Sequence, residues 1–443
     1  MKNSRCSRRK MLQGMAATAL AAPLVIPSTA WGDGQTPPPS NRIALGHIGV
    51  GNRGRALFRD FQNCKDAQSV AVADCYQDRR EAYAELCGGR PNADLHDKLK
   101  NPPKSFAPCR SHANAYADFR DLLARKDIDA VVIATPDHWH VPLALAAARA
   151  GKDAYVEKPL GVSVEQDLVC RKVFQERKRI FQYGTQQRSS SHCRFGCELV
   201  RSGRIGKLHT IEVIAPDGGA GGSTKEIPVP AGLDFEMWTG PAPVKPYTAD
   251  RCHPPGTYWI YDYSIGYLGG WGAHPLDIMV WGSDADLAGP MVFEGTGQIP
   301  GTGLYDTVFH WDVKIQMGGG VNMTFKPGSD CTKFIGSDGW VEIRRRGLDA
   351  EPKSLLTSVI GPGDVHLITS PHHAKNFVAA VKSRTAAVSN LPDAVRSDLI
   401  SQLSNIAVRL KRKITWDPRR EVIVGDAEAS KLTRRAMRSP WTL

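Results

Sequence analysis

The chain has 443 residues, 42% hydrophobic and 23% charged, the balance of a globular protein with enough apolar material for two cores. Its formal net charge is +12, but Lys2, Arg5, Arg8, Arg9 and Lys10 supply five of those charges from the extreme N-terminus, and the remaining +7 is scattered without a basic run interleaved with aromatics. That pattern reads as solvated surface and sets nucleic acid aside as a partner.

The N-terminus opens with paired arginines, Arg8 and Arg9, ahead of an apolar run from Met15 to Ile26 that is interrupted by Thr18 and Pro23. The run falls short of the roughly 20 residues a spanning helix needs. It predicts a twin-arginine signal peptide over residues 1–30, cut near Ala30, which hands the folded protein to the twin-arginine export machinery and places it in the periplasm without stable membrane insertion. Residues 31–41, rich in Gly, Pro and polar side chains, read as a linker. Of ten cysteines, Cys6 falls in the signal, and the nine others lack regular spacing and read as buried or free thiols. Cys193 and Cys197 are four apart on a predicted helix, but nothing nearby completes a metal set.

From residue 42 the pattern changes. "RIALGHIGVGNRGRALFRDF" runs from strand-like alternation through Gly49-Val50-Gly51-Asn52-Arg53-Gly54 into a helical pattern, the setting in which G-x-G-x-x-G signals a dinucleotide phosphate loop. "SVAVADCY" is the next strand and ends at Asp74, 20 residues beyond Gly54, where a carboxylate accepts from an adenosine ribose and repels a 2′-phosphate. NAD is therefore expected as cofactor. Arg79 and Arg80 follow closely and keep NADP open. Further strands are predicted at 129–136, 153–159 and 179–184, separated by helical stretches such as "VPLALAAARAG". This α/β alternation defines a Rossmann dinucleotide-binding domain at 42–187, followed by a second domain at 188–443. Thr135, Pro136, His138 and His140 fall with Glu157 and Lys158 at the strands' carboxyl ends, where such sheets bind ligands. His138 and His140 lie two apart, but Pro136 and Pro142 bracket them in a strand-end turn, and no metal is expected there.

Taken together, "GVGNRG", "ATPDHWH", "EKP", "GTQQRSSSHCRFGCELVRSGRIGKLHTIEV", "WTGPAPVKPY", "GGWGAHPLDIMVWG" and "WDPRREVIVGDAEASKL" resemble the Gfo/Idh/MocA oxidoreductases over essentially the whole chain beyond the signal. The resemblance implies a C-terminal α/β domain built on a large, mostly antiparallel open sheet, a sugar or cyclitol substrate between the domains, and a homo-oligomer. It also implies that Lys158 stabilises the alkoxide formed as hydride leaves a carbinol carbon. Glu157 then orients Lys158 or touches the nicotinamide ribose. His274 matches the family's histidine, but the aspartate expected four residues before it is Gly270. Asp277, three residues after His274, also matches, on the same helical face. On this reading Lys158 and His274 are catalytic. Asp277, Arg188, Tyr263 and Trp271 meet substrate, and Gly49, Gly51, Asn52, Arg53, Gly54, Asp74, Thr135, Pro136, His138, His140, Glu157, Lys158 and Gln186 meet cofactor. Gln186, Gln187 and Arg188 either hold substrate hydroxyls or bridge the domains, and without the acid either Lys158 works with His274 alone or another group such as Tyr258, Tyr261, Tyr263 or Tyr267 contributes.

A protein exported folded carries its cofactor with it, so the NAD is expected to be tightly bound and regenerated within each cycle. Three functions satisfy this: an oxidoreductase acting on a sugar or cyclitol hydroxyl, a glycoside-cleaving enzyme that transiently oxidises the sugar, and a non-catalytic nucleotide or sugar sensor. The oxidoreductase is the expectation.

Overall fold

The computed structural model describes residues 37–84, 87, 114–283, 287 and 289–443. The predicted signal and most of the linker lie outside them. A single short turn occupies Pro39–Asn41, and the body of the fold begins at Ile43.

Six parallel strands form the first sheet, in the order β3-β2-β1-β4-β5-β6: β1 (Ile43–Ile48), β2 (Ala67–Ala73), β3 (Ala115–Tyr116), β4 (Ala130–Ile133), β5 (Asp153–Val156) and β6 (Phe181–Tyr183). This is the doubly wound order, whose reversal point between β1 and β4 opens the ligand crevice. β4 is apolar and buried at every position, Ala-Val-Val-Ile, because helices cover both faces of a parallel sheet. β3 has only two residues and too little pattern to be seen in the sequence.

The second sheet has nine strands in the order β13-β12-β11-β7-β10-β9-β8-β14-β15: β7 (Leu208–Ala215), β8 (Met291–Gln298), β9 (His310–Gln316), β10 (Asn322–Pro327), β11 (Cys331–Gly336), β12 (Gly339–Arg344), β13 (Gly347–Glu351), β14 (Ile414–Asp417) and β15 (Val422–Ile423). Every pairing is antiparallel except β7 with β10, which is parallel. β9 alternates strictly, with Trp311, Val313 and Ile315 turned to the core and His310, Asp312, Lys314 and Gln316 to solvent. That is the period-2 signature of a sheet covered on one face.

The helix Leu391–Leu410 touches the helix Val164–Arg177 and β6 of the first domain, and the helix Ala273–Gly282 and β8 of the second. Buried from several sides, it carries Ser397, Asp398, Ser401, Gln402, Ser404 and Asn405 as buried polar groups. The first domain is also discontinuous. The helix His373–Ser383 returns to pack on the helix Asn52–Gln62 and β1, its Phe377 ring 5.9 Å from Phe61 and 6.0 Å from Tyr155. A single cut between 187 and 188 therefore does not separate the two packing units, since a helix's own periodicity does not say which distant surface it covers. Among the described residues no helix is long and apolar enough to cross a membrane.

Candidate active site

The loop between β1 and the helix Asn52–Gln62 is shaped by its glycines. Gly49 has φ +82°, and a Cβ there would lie 2.8 Å from the Ala134 carbonyl oxygen. A Cβ on Gly54 would collide with the Gly49 carbonyl, so the helix sits on the strand only because position 54 is bare. Gly51 is the helix N-cap, makes no side-chain cap, and no acid occupies the first turn. The first N–H groups of the helix are thus left for an anion.

Asp74 closes the far side of this loop. Its Oδ2 accepts from Val50 N–H at 2.8 Å and its Oδ1 from Tyr76 N–H at 2.9 Å. Burial pushes its carboxyl up, while Arg79 and those two amides pull it down. The Arg79 guanidinium lies 3.7 Å from the centre of the Tyr76 ring and reaches across toward Gly51.

A cavity of about 460 Å³ runs from this loop to Lys158. Gly49, Gly51, Asn52, Arg53, Asp74, Thr135, Pro136, His140, Glu157 and Lys158 all line it, which brings together most of the residues expected to meet cofactor. Arg53 Nε donates to Glu157 Oε1 at 2.7 Å, and Gly184 leaves the room, since a Cβ there would lie 2.8 Å from the Glu157 carboxyl carbon. Gln186 does not line the cavity. With its amide turned to suit its neighbours it accepts from Arg53 and donates to the Gly184 carbonyl at 3.1 Å. The His140 ring nitrogens sit 2.6 Å from the Pro159 carbonyl and 2.9 Å from the Thr135 carbonyl, joining the two strand-end turns. The bare loop, the uncapped helix start and a cavity lined from that loop to Lys158 fit a dinucleotide diphosphate.

Lys158 is half-buried and its Nζ donates to the Gly270 carbonyl at 2.7 Å. Burial lowers its pKa, Glu157 and Asp137 resist, and Arg53 and Arg345 push the same way as burial. His274, in the first turn of the helix Ala273–Gly282, is buried with its Nδ1 unpartnered. Burial, then the charges of Lys158, Arg345, Arg53 and His373, hold its pKa well below the usual value, so the ring stays neutral at physiological pH. It does not line the main cavity.

Five expected site residues are placed differently. Arg188 and Asp277 are both buried and spent on each other through two 2.7 Å contacts, while Arg188 Nη1 donates to Asp393 at 2.7 Å and to the Val388 carbonyl at 3.3 Å. Neither lines the cavity, and Arg188 occupies the Asp277 carboxylate. Tyr263 is fully buried, its hydroxyl accepting from Arg251 at 3.2 Å and its ring against His138 and Trp238. His138 donates from Nε2 to the Trp238 carbonyl at 3.0 Å and packs the domain junction rather than a cofactor. Trp271 is half-buried, with the Arg345 guanidinium 5.1 Å from its ring centre.

The structure adds residues the sequence did not single out for cofactor or substrate. Met237, Trp238, Cys252, His253 and Pro254 roof the cavity, and Asp137 and Thr257 complete its wall together with Tyr258, one of the tyrosines already expected at the site. The roof is stitched to the first domain: Gln77 N–H donates to the Gly232 carbonyl at 2.8 Å, Asp234 N–H to the Cys75 carbonyl at 3.0 Å, and Trp139 Nε1 to the Trp238 carbonyl at 3.0 Å. No local signal in 232–258 announces this, because its partners lie 99 residues or more upstream.

Two family profiles match this architecture, "Oxidoreductase family, NAD-binding Rossmann fold" of Gfo/Idh/MocA over residues 43–185 and "Oxidoreductase family, C-terminal alpha/beta domain" over 220–322 and 364–443. The chain belongs to the Gfo/Idh/MocA oxidoreductase family. A glycosyl hydrolase family 109 protein of Shewanella amazonensis is 32% identical over 176 residues, 37% of this chain and 36% of the relative. The match thus spans about a third of the length of such relatives. Among solved structures, aldose-aldose oxidoreductase from Caulobacter crescentus aligns with a TM-score of 0.59 at 16% identity, covering 84% of this chain and 99% of that one. The WlbA dehydrogenase from Bordetella pertussis, in complex with NADH and UDP-GlcNAcA, aligns at 0.60 and 14%, covering 84% and 98%. At those identities the likeness establishes the fold, and with the family profiles it marks the cavity as a nicotinamide-dinucleotide site.

Proposed function

We propose that this chain oxidises a hydroxyl of a sugar or cyclitol, using a retained NAD that a second carbonyl substrate returns to its starting state. The observation that carries the reading is the position of Lys158, in the wall of the same cavity whose other end is the Gly49–Gly54 loop. A nicotinamide bound there supplies the hydride acceptor. The helix start at Asn52 holds the diphosphate by its N–H groups. Asp74 offers its remaining lone pairs to a ribose diol, which favours NAD, with Arg79 as the group that a 2′-phosphate would meet. Lys158 Nζ donates to the substrate oxygen and stabilises negative charge there as the carbinol proton is lost. Glu157 fixes Lys158 from one side and the phosphate loop, through Arg53, from the other.

The stitched roof supports retention, since a dinucleotide under 232–258 leaves only when those contacts open. Retention agrees with export of the folded protein to the periplasm by the signal at residues 1–30, and we propose both, together with assembly as a homo-oligomer. A second reading is glycoside cleavage, in which oxidation at one ring carbon acidifies its neighbour and the aglycone leaves by elimination before water adds. The name of the Shewanella relative favours it, as does Tyr258 in the wall beside Lys158. Purified protein incubated with free sugars and with aryl glycosides, while nicotinamide absorbance and aglycone release are followed together, separates the two readings. Failure of both signals with every substrate, in protein shown to hold dinucleotide, overturns both.

A further inference from the structure

Beyond the helix Ala427–Lys431 the segment 434–443 forms neither helix nor strand, and its contacts pass in chain order from the second domain to the roof and on to the first domain. Arg435 donates to the Tyr261 carbonyl. Arg438 N–H donates to the Pro241 carbonyl at 2.9 Å and its Nε to the Gly240 carbonyl at 3.0 Å, while its Nη1 pairs with Glu236. Trp441 then turns back, its N–H donating to the Arg438 carbonyl at 2.9 Å. Its ring stands edge-on to Trp139 with centroids 4.8 Å apart, 6.2 Å from Phe119 and 5.6 Å from the Arg120 guanidinium.

Both places the segment reaches are walls of one cavity. Phe119 and Trp139 line it from the first domain, Met237 and Trp238 from the roof. Where they meet the fit is close: Trp139 Nε1 donates to the Met237 carbonyl at 3.1 Å and the Trp238 carbonyl at 3.0 Å, and a Cβ on Gly240, at φ +50°, would lie 2.1 Å from Trp139 Cζ2. One end of the roof is tied to the first domain at Gly232 and Asp234; the other, 236–241, rests on Trp139 and on what Arg438 and Trp441 add. That addition is modest. Glu236 is 71% exposed, so its ion pair with Arg438 contributes little, and the two carbonyl contacts with the half-buried indole carry the hold. A segment with no ladder of its own opens at a fraction of the free energy of global unfolding.

We propose that 434–443 is a strap that shuts the dinucleotide cavity, holding the roof through Arg438 and docking on the first domain through Trp441, and that its release is the step that lets the dinucleotide in and out. The proposal rests on the reading of the cavity as the site of a retained dinucleotide and adds the element that sets the rate of exchange. Trp441 does not itself line the cavity, so loosening it removes no contact to the ligand. Entry and exit then quicken together, and affinity hardly changes.

The test uses the full chain loaded with NAD and chased with excess fluorescent etheno-NAD. Trp441→Ala raises the release rate and the binding rate by about tenfold each, the scale of one docked aromatic side chain, with Kd almost unmoved. Trp441→Phe, which keeps a ring against Trp139, restores slow exchange. Arg438→Ala, which frees the roof end, moves both rates as Trp441→Ala does and replaces it should that variant not fold. Hydrogen exchange read by mass spectrometry on the emptied protein follows the strap without ligand: in either alanine variant it quickens in 232–241 and not in the helix Leu391–Leu410. Parental rates in the folded variants, faster release with an unchanged binding rate, or unaltered hydrogen exchange in 232–241 each overturn the proposal. A parent that binds no dinucleotide overturns the cofactor reading instead, and hydrogen exchange in 232–241 then decides the strap by itself.

Discussion

The Arg53 guanidinium and the Glu157 carboxylate meet at 2.7 Å across 104 residues of chain, Arg53 lying in the glycine loop and Glu157 immediately before Lys158. One ion pair thus links the place where phosphate binds to the place where the lysine acts. Arg53→Ala is expected to weaken dinucleotide retention and lower kcat/KM together, each by about tenfold, the scale of one charge-assisted hydrogen bond. Equilibrium dialysis and initial rates measure both. A variant changed in one only would show that the pair does not couple the two ends.

Lys158→Met should lower turnover by about two to three orders of magnitude while the dinucleotide stays bound, because the phosphate contacts lie at the other end of the cavity. Since burial keeps His274 neutral, His274→Asn should remove no limb near pH 6.5 from the rate profile. An acid limb near that pH in the parent enzyme, lost in His274→Asn, would contradict this.

Cofactor choice turns on Asp74 and Arg79. Asp74→Ala takes away the ribose acceptor and also frees the Val50 and Tyr76 amides, so NAD affinity should fall by at least tenfold with a relative gain for NADP. Arg79→Ala should weaken NADP more than NAD. Titrations of the emptied protein with each dinucleotide test both, and equal losses for the two cofactors in both variants would remove these residues from selectivity.

The Arg188–Asp277 pair carries stability, not substrate. Both side chains are 1% exposed, so Asp277→Ala leaves a buried guanidinium with only Asp393 and two backbone carbonyls, and should destabilise by about 3–5 kcal/mol. Substrate KM should be unmoved in whatever remains folded. Denaturant unfolding beside steady-state kinetics decides this, and a large KM change at parental stability would return the pair to the site.

Asp167 and Asp398 are buried side by side behind the turn that follows Lys158. Burial raises both, Asp398 to about 6, and the proximity of Asp398 raises Asp167 further. Unfolded carboxyls titrate near pH 4, so between there and the folded values the native state binds more protons than the unfolded one. Stability is then complete below about pH 4 and falls as pH rises through 6 and above. Asp167→Asn, which replaces a buried titrating carboxyl by a fixed amide, should raise Tm by several degrees at pH 8 and hardly at all at pH 4. Equal shifts at both pH values would rule out a contribution from titration of Asp167.

Short-range rules made one half of this protein legible. Gly49, Gly51 and Gly54 after an apolar strand, Asp74 at the end of the next, and Lys158 beyond β5 are set by local geometry: φ at a turn, the bareness a close approach demands, and the fact that side chains at strand ends face the crevice of a parallel sheet. Those positions needed no knowledge of the rest of the chain, and the α/β class followed from alternating periodicities. The second half depended on partners far away along the chain. Arg188 and Asp277 carry the charge and polarity of site residues, and only folding shows that each is spent on the other. Tyr263 and His138 have the chemistry to meet a sugar or a cofactor, yet they pack against Trp238. Asp137 falls in the strand-end turn legible in the sequence, but only the fold brings Ser264 to it, and Phe377 meets Phe61 and Tyr155 of the first domain. A charged side chain's role is fixed by which counter-charge and how much water it meets, and both are properties of the assembled interior, where Asp277 meets Arg188 and Lys158 meets the Gly270 carbonyl beside the cavity.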